Sequence, residues 1–353
     1  MEFLTDYGSF LLKVITLVVA ILIVTGGLIA LASRQRGSSS EGHLKIRKLN
    51  DELEDHKEQL EDAVSTEALL KARNKERKKQ DKAKAKEEKK LAAKPTEAQA
   101  RKRVWVIDFD GDIRASDVEL MRQEITAVLT MAEKEDEVVV RLESGGGMVH
   151  SYGLAASQLK RIRDKGISLT ICIDRVAASG GYMMACLANR MVAAPFAIIG
   201  SIGVVAQVPN FNKLLKKNDI DYELFTAGEF KRTITMFGEN TDKAREKFQS
   251  DLEDTHGLFK AHVKQFRPRV DIDAIATGDV WYGIQAIDLK LIDEVGTSDD
   301  YLMSACNDSD VFMVSYEFRK TLQEKLGMAV QNGVAQAVTR ILTAVNNQLQ
   351  TKG

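Results

Sequence analysis

Apolar and polar positions along the chain fall into three successive textures. Residues 10–32, "FLLKVITLVVAILIVTGGLIALA", form an apolar run broken only by Lys13 near its start. A helix of about 20 apolar residues matches the hydrocarbon core of a bilayer. The run therefore predicts a transmembrane helix behind a short tail, residues 1–9. A cleaved signal peptide is the rival reading, because Ala30-Leu31-Ala32 has the form of a cleavage site. The length of the run and the acids Glu2 and Asp6 ahead of it favour an uncleaved anchor. Residues 33–102 are polar and blockwise charged, a helical and flexible spacer. Within it, residues 44–70 carry a thin apolar stripe, Ile46, Leu49, Leu53 and Leu60, which predicts helix but holds too few heptads for a coiled coil.

From residue 103 onward, short runs rich in β-branched residues alternate with helical periodicity. Strands are predicted at 104–111, 137–144, 168–174, 191–195, 202–208 and 222–227, and helices at about 116–134, about 151–165 and from Gly180. Such alternation means an α/β domain with a largely parallel sheet, assigned to residues 103–300. Residues 301–353 read as a mostly helical extension available for oligomerisation. The stretch 183–208 is apolar enough to suggest a second span, yet Asn189, Arg190, Pro195, Gly200 and Gly203 punctuate it. Buried strands of a parallel sheet give the same near-continuous apolar pattern, and that reading is preferred.

Composition narrows the function classes. The 353 residues are 44% apolar and 29% charged, with a net charge of −1, so no global field points to nucleic acid. The balance hides local asymmetry. Residues 51–62 are mostly acidic, whereas 71–94 hold twelve Lys or Arg against four acids. A solvated spacer is favoured over a lipid-binding one. Arg34, Arg36, Lys45, Arg47 and Lys48 follow the apolar run, so the positive-inside rule places the bulk of the chain in the cytoplasm. Cys172, Cys186 and Cys306 are odd in number and widely spaced, which suggests no disulfide framework.

Several chemical motifs fail on spacing. "DFDGDIRASDVE", residues 108–119, places acids as an EF-hand loop does, but Ile113 stands where the sharp turn needs glycine, and a strand precedes it. His256 and His262 are six residues apart and do not share a helical face, so no zinc site is read from them. Gly145-Gly146-Gly147 lacks the Gly-Lys-Ser/Thr ending of a phosphate-binding loop. No metal, nucleotide or other cofactor is expected.

"RVAASGGYMMA", residues 175–185, is the strongest remaining candidate. Ser179 follows a strand through an Ala-rich turn, and an apolar helix opens at Gly180. A serine on such a turn projects its hydroxyl outward, as in a nucleophile elbow. The Gly180 N–H lies at a helix start, where unpaired donors favour negative charge. A donor from Gly145–Gly147 beside it would complete an oxyanion hole. A tight glycine turn with a spectator serine fits the spacing equally well. A serine nucleophile also needs a base, and no His stands in an evident triad. Lys231 in "TAGEFKRTITMFG", next to Arg232, is the candidate amine, one lysine among many.

"LESGGGMVHSYG", "ASGGYMMA", "GSIGVV", "GEFKR" and "AIDLKLIDEVG", taken in order, resemble the signal-peptide-peptidase family of membrane-bound Ser–Lys proteases. The resemblance covers essentially the whole chain, including the N-terminal anchor and charged spacer. It implies a ClpP/crotonase-like fold of repeated ββα units. It also implies Ser179 as nucleophile, Lys231 as general base and Ser201 as the residue that orients the lysine. Gly180 and Gly146 would supply the oxyanion donors. The family loop often reads Asn-Ser-Pro-Gly-Gly; here Glu143-Ser144-Gly145-Gly146-Gly147 lacks the proline. The resemblance further implies a dome-like homo-oligomer that shares its sites between protomers, in a bacterial inner membrane. Substrates would be apolar peptides, signal-peptide remnants or membrane-associated proteins. Relatives are often drawn facing the periplasm, against the local charge. Two other classes stay open: a non-catalytic membrane scaffold, and a crotonase-like acyl-CoA enzyme, since that fold also presents paired N–H groups to an acyl carbonyl.

Overall fold

The computed structural model describes residues 42–92 and 101–318, so the predicted tail 1–9 and span 10–32 lie outside the described residues. Among the described residues no helix is long and apolar enough to cross a membrane. Leu44–Tyr316 form one compact unit; the other, 1–43 with 317–353, lies almost wholly outside the described residues.

The chain begins as β1 (Gly42–Lys48), α1 (Leu49–Val64) and α2 (Glu67–Ala92). It continues through β2 (Arg103–Gly111), α3 (Val118–Met131), β3 (Glu137–Ser144), α4 (Val149–Asp164) and β4 (Ser168–Ile173). Next come β5 (Val176–Ala178), α5 (Gly180–Ala185), β6 (Arg190–Ala193), β7 (Ile198–Gly200), α6 (Asn212–Lys217) and α7 (Asp242–Phe266). The last elements are α8 (Ile272–Ile275), β8 (Val280–Tyr282), α9 (Gly283–Ala286), β9 (Glu294–Val295), α10 (Ser298–Asp308) and β10 (Asp310–Phe318).

The main sheet runs β1-β10-β2-β3-β4-β6-β9, and its pairs from β10 to β9 are parallel. Alternation along β2 explains the two-sided burial. Trp105, Ile107 and Phe109 enter the larger core, while Val104 and Val106 enter a smaller cluster with Val139, Cys172, Val192, Leu302 and Val311. α3 and α4 cover the larger core with stripes of helical period: Met121, Ile125, Val128 and Leu129 from one, Tyr152, Ala155, Ala156, Leu159 and Ile162 from the other. Fully burying one such large side chain contributes roughly 1.5–3 kcal/mol.

The sheet also branches. β3 pairs with β4 along Glu137–Arg141, then its last residue, Ser144, pairs with Ala177 of β5. β5 pairs in parallel with β7, and β7 pairs antiparallel with β8. The ends of β3, β5 and β7 are thus brought side by side.

Three sequence readings change. Residues 44–70 open as a strand, because Leu44 and Ile46 alternate along β1 and helix starts only at Leu49. The strands predicted at 202–208 and 222–227 do not form. Their apolar residues meet no sheet within one chain, and Val205, Val208, Tyr222, Leu224 and Phe225 are exposed. The mostly helical tail beyond 301 begins with the end of α10 but continues as β10, whose "VFMVSYEF" run has strand chemistry and pairs with β2. Within the helical spacer, the acidic and basic blocks lie on two helices joined by ion pairs: Arg73 meets Glu61, and Arg77 meets Glu58, Glu61 and Asp62.

Candidate active site

The chain leaves each of three adjacent parallel strands at a residue of chemical interest. β3 runs into Gly145–Gly147, β5 into Ser179 and β7 into Ser201. The register Ser144↔Ala177 and Ala178↔Gly200 sets these exits next to one another. The carboxyl ends of parallel strands, where strand order switches, are where α/β sheets bind ligands.

Ser179 has φ 52° and ψ −117°. A residue with a side chain rarely adopts this conformation, which costs on the order of 1–3 kcal/mol and persists only where its surroundings hold it. The holding is visible: the Ser179 N–H donates to Gly200 O at 2.8 Å, and its carbonyl accepts from Met183 N–H at 2.9 Å. Ser201 has the same φ of 52° and donates its N–H to Asp279 O at 2.7 Å. Among the described residues no hydrogen bond engages either serine hydroxyl. As the first residue of α5, Gly180 has no intrahelical partner for its N–H.

Ser179, Gly180 and Ser201 line one cavity of about 630 Å³, together with Gly147, Val149 and Met183. The glycine loop is pressed against the serine turn. A Cβ on Gly146 would stand 2.6 Å from Gly180 N and 2.8 Å from Ser179 Cβ, and its φ of +87° suits glycine alone. Its N–H, expected as the second oxyanion donor, instead donates to Ser144 Oγ at 3.0 Å. Gly147, one residue on, is the loop glycine that lines the cavity.

The structure does not bring Lys231 to this cavity. Its N–H donates to Gly228 O at 3.2 Å in an exposed turn, and the side chain lies on the surface. The segment around it, from Val205 to Phe237, also exposes Val208, Phe211, Leu214, Ile220, Tyr222, Leu224, Phe225 and Phe230.

The sequence set His256 and His262 of α7 aside as a zinc pair and gave them no other role. His256 and His262 both line the cavity, which wraps further round the helix than one face. His256 Nε2 lies 3.2 Å from Ile202 O and His262 Nε2 lies 3.0 Å from Met183 O, so each ring uses its Nε2–H on a backbone carbonyl. Burial lowers the pKa of His262, outweighing the Met183 carbonyl that raises it. No hydrogen bond among the described residues joins either ring to Ser179. The signal available in the sequence was the helical spacing of His256, Phe259 and Val263. The two buried cysteines are not rival nucleophiles. Burial pushes the Cys172 thiol up to about 12 and raises that of Cys186 as well, so neither is a thiolate near neutral pH.

Comparison with known proteins follows the same outline. Residues 2–159 match the family described as Peptidase family S49 N-terminal, and residues 161–311 match Peptidase family S49. The chain is 48% identical over 344 residues to the Probable protease SohB of Haemophilus influenzae, covering 97% of each. It is 52% identical over 241 residues to the Probable protease SohB of Buchnera aphidicola subsp. Acyrthosiphon pisum, covering 68% of this chain and 72% of that one. Among solved structures, a lysine-to-alanine mutant of the 1510-N membrane-bound stomatin-specific protease with a substrate peptide overlaps 65% of this chain and 99% of its own, at 14% identity and a TM-score of 0.39.

Proposed function

The chain belongs to peptidase family S49 and is a serine protease, and on that premise we propose that Ser179 is its nucleophile and Lys231 its general base. The observation that carries this reading is Ser179 itself, a serine held at φ 52° on a strand end, beside Gly180, in a cavity shared with Ser201. Membership of a protease family sets aside the acyl-CoA and scaffold alternatives.

In the proposed mechanism the neutral Lys231 amine takes the Ser179 proton, and the oxygen attacks a peptide carbonyl. The Gly180 N–H and a loop N–H hold the oxyanion; Gly147 is favoured over the expected Gly146 because it lines the cavity while the Gly146 N–H is bonded to Ser144 Oγ. Each such donor is worth about 3–4 kcal/mol of barrier. Lys231 then protonates the leaving amine, and water releases the acyl group. Ser201, at the next strand end, orients the lysine.

Lys231 reaches Ser179 from a neighbouring copy in a ring-like homo-oligomer. Support comes from the exposed apolar segment Val205–Phe237 that carries it, which a single chain leaves in water. The catalytic domain is 103–300 with β10 added to its sheet, and its arrangement is of the ClpP/crotonase type. Apolar residues at the cavity, Val149, Met183, Val204, Val205 and Leu258, suit apolar peptides and membrane-derived fragments.

Incubation with a fluorophosphonate probe tests the nucleophile. Peptide mapping is expected to find the label on Ser179, and Lys231→Ala is expected to prevent labelling. Label on a different residue, persisting in Ser179→Ala, would overturn the assignment.

Residues 10–32 anchor the protein in a bacterial inner membrane, with the domain on the cytoplasmic side that Arg34, Arg36, Lys45, Arg47 and Lys48 favour. A fluorescent protein fused to the C-terminus is expected to mature, and an alkaline phosphatase fusion to stay inactive. The reverse pattern would put the domain in the periplasm.

A further inference from the structure

Tyr152 lies fully buried on α4, one turn after the glycine loop. Its hydroxyl donates to the carbonyl of Asp112 at 2.7 Å and meets Ser144 Oγ at 2.5 Å. Ser144 Oγ in turn accepts the Gly146 N–H at 3.0 Å and has Gly111 O at 3.2 Å as a second acceptor. With the tyrosine proton committed to Asp112, the single serine proton is shared between Gly111 O and the tyrosine oxygen. Ser144 Oγ thus ties the Gly146 N–H to the Tyr152 hydroxyl, which is itself fixed on the Asp112 carbonyl, and hydrogen bonds joined in such a network reinforce one another.

The ring of the same residue touches the other wall. A Cβ on Gly180 would stand 2.4 Å from Tyr152 Cγ and 2.8 Å from its Cδ2. A Cβ on Gly181 would stand 2.5 Å from Ser144 O. The start of α5 therefore rests directly on Tyr152 and Ser144, and the absence of side chains at both glycines is what permits the approach.

We propose that Tyr152 is a positioning residue for proteolysis: its ring sets the level of Gly180, and its hydroxyl, through Ser144, sets the loop that carries Gly146 and Gly147. One buried side chain thereby registers both donors of the oxyanion site relative to Ser179. A phenylalanine would fill the core as well, so the hydroxyl chain is the part that serves catalysis. The inference rests on the assignment of Ser179 and Gly180 made above.

The test uses the full chain and a chromogenic apolar peptide. Tyr152→Phe and Ser144→Ala are each expected to lower kcat roughly 10- to 100-fold, less than outright loss of an oxyanion donor, with KM changed by no more than about threefold. The double variant is expected to be no slower than the slower single one, because both changes break the same chain. Circular dichroism and thermal unfolding confirm that each variant is folded; should Tyr152→Phe fail to fold, Ser144→Ala reports on the same chain. A folded variant with kcat near that of the unchanged protein overturns the proposal, as does a loss confined to KM or a double variant whose losses multiply. Ser179→Ala separates the two levels. If it is inactive while Tyr152→Phe is fully active, only the positioning role fails. If Ser179→Ala keeps its activity, the nucleophile assignment fails first.

Discussion

Ser179→Gly is expected to give a protein at least about 10⁴-fold less active yet about 1 kcal/mol more stable. The two effects have separate origins. Activity falls because no hydroxyl remains to attack the carbonyl, and what survives is the small acceleration that binding and the oxyanion donors give to water. Stability rises because the residue sits at φ 52°, ψ −117°. A side chain there costs on the order of 1–3 kcal/mol, whereas glycine adopts the region freely and loses only about 0.5–1 kcal/mol to the greater entropy of its unfolded chain. Chemical unfolding and steady-state hydrolysis measure the two quantities on one sample. Ser179→Ala is the control: equally inactive, but without the gain, since alanine keeps a Cβ at positive φ. A glycine variant that cleaves peptides normally ends the assignment of Ser179. One that is inactive but no more stable shows that the turn stores no strain.

Ser179→Ala and Lys231→Ala, each inactive alone, are expected to recover about a quarter of normal activity when co-expressed in equal amounts. Lys231 is exposed and absent from the cavity that holds Ser179. If each contact in a closed ring brings the lysine of one copy to the serine of the next, random mixing gives one intact pair in about four. A dyad formed within one chain gives no recovery, because every chain in the mixture lacks one partner. Hydrolysis by the purified mixed assembly, normalised to protein, distinguishes the cases.

The fold was legible where pattern and burial agree. β2 and β3 meet apolar neighbours on both faces, and short continuous apolar runs rich in β-branched side chains marked them. The short strands were harder. β5 and β7 have three residues each, too few to show a period inside the apolar stretch 175–200. Residues 202–208 and 222–227 misled for a related reason. Their apolar runs look like buried strands, but the chain offers them nothing to pair with and leaves them exposed. At the site, the small residues around Ser179 were visible as a motif because the turn tolerates little else. That the Gly146 N–H turns to Ser144 Oγ was not, since it depends on how the loop folds back on its own side chain. The two histidines of α7 escaped because a concave site can draw on more than one helical face.

The position of Lys231 has a consequence for safety inside the cell. A protease whose base lies on a surface segment, away from its own serine, is harmless as a solitary newly made chain. If Lys231 is the base proposed above, the protein becomes competent only by meeting its own kind, and its output depends steeply on abundance. The membrane anchor proposed for residues 10–32 would confine that search to two dimensions and let few copies suffice. Dilution out of the membrane would then disarm it without any inhibitor.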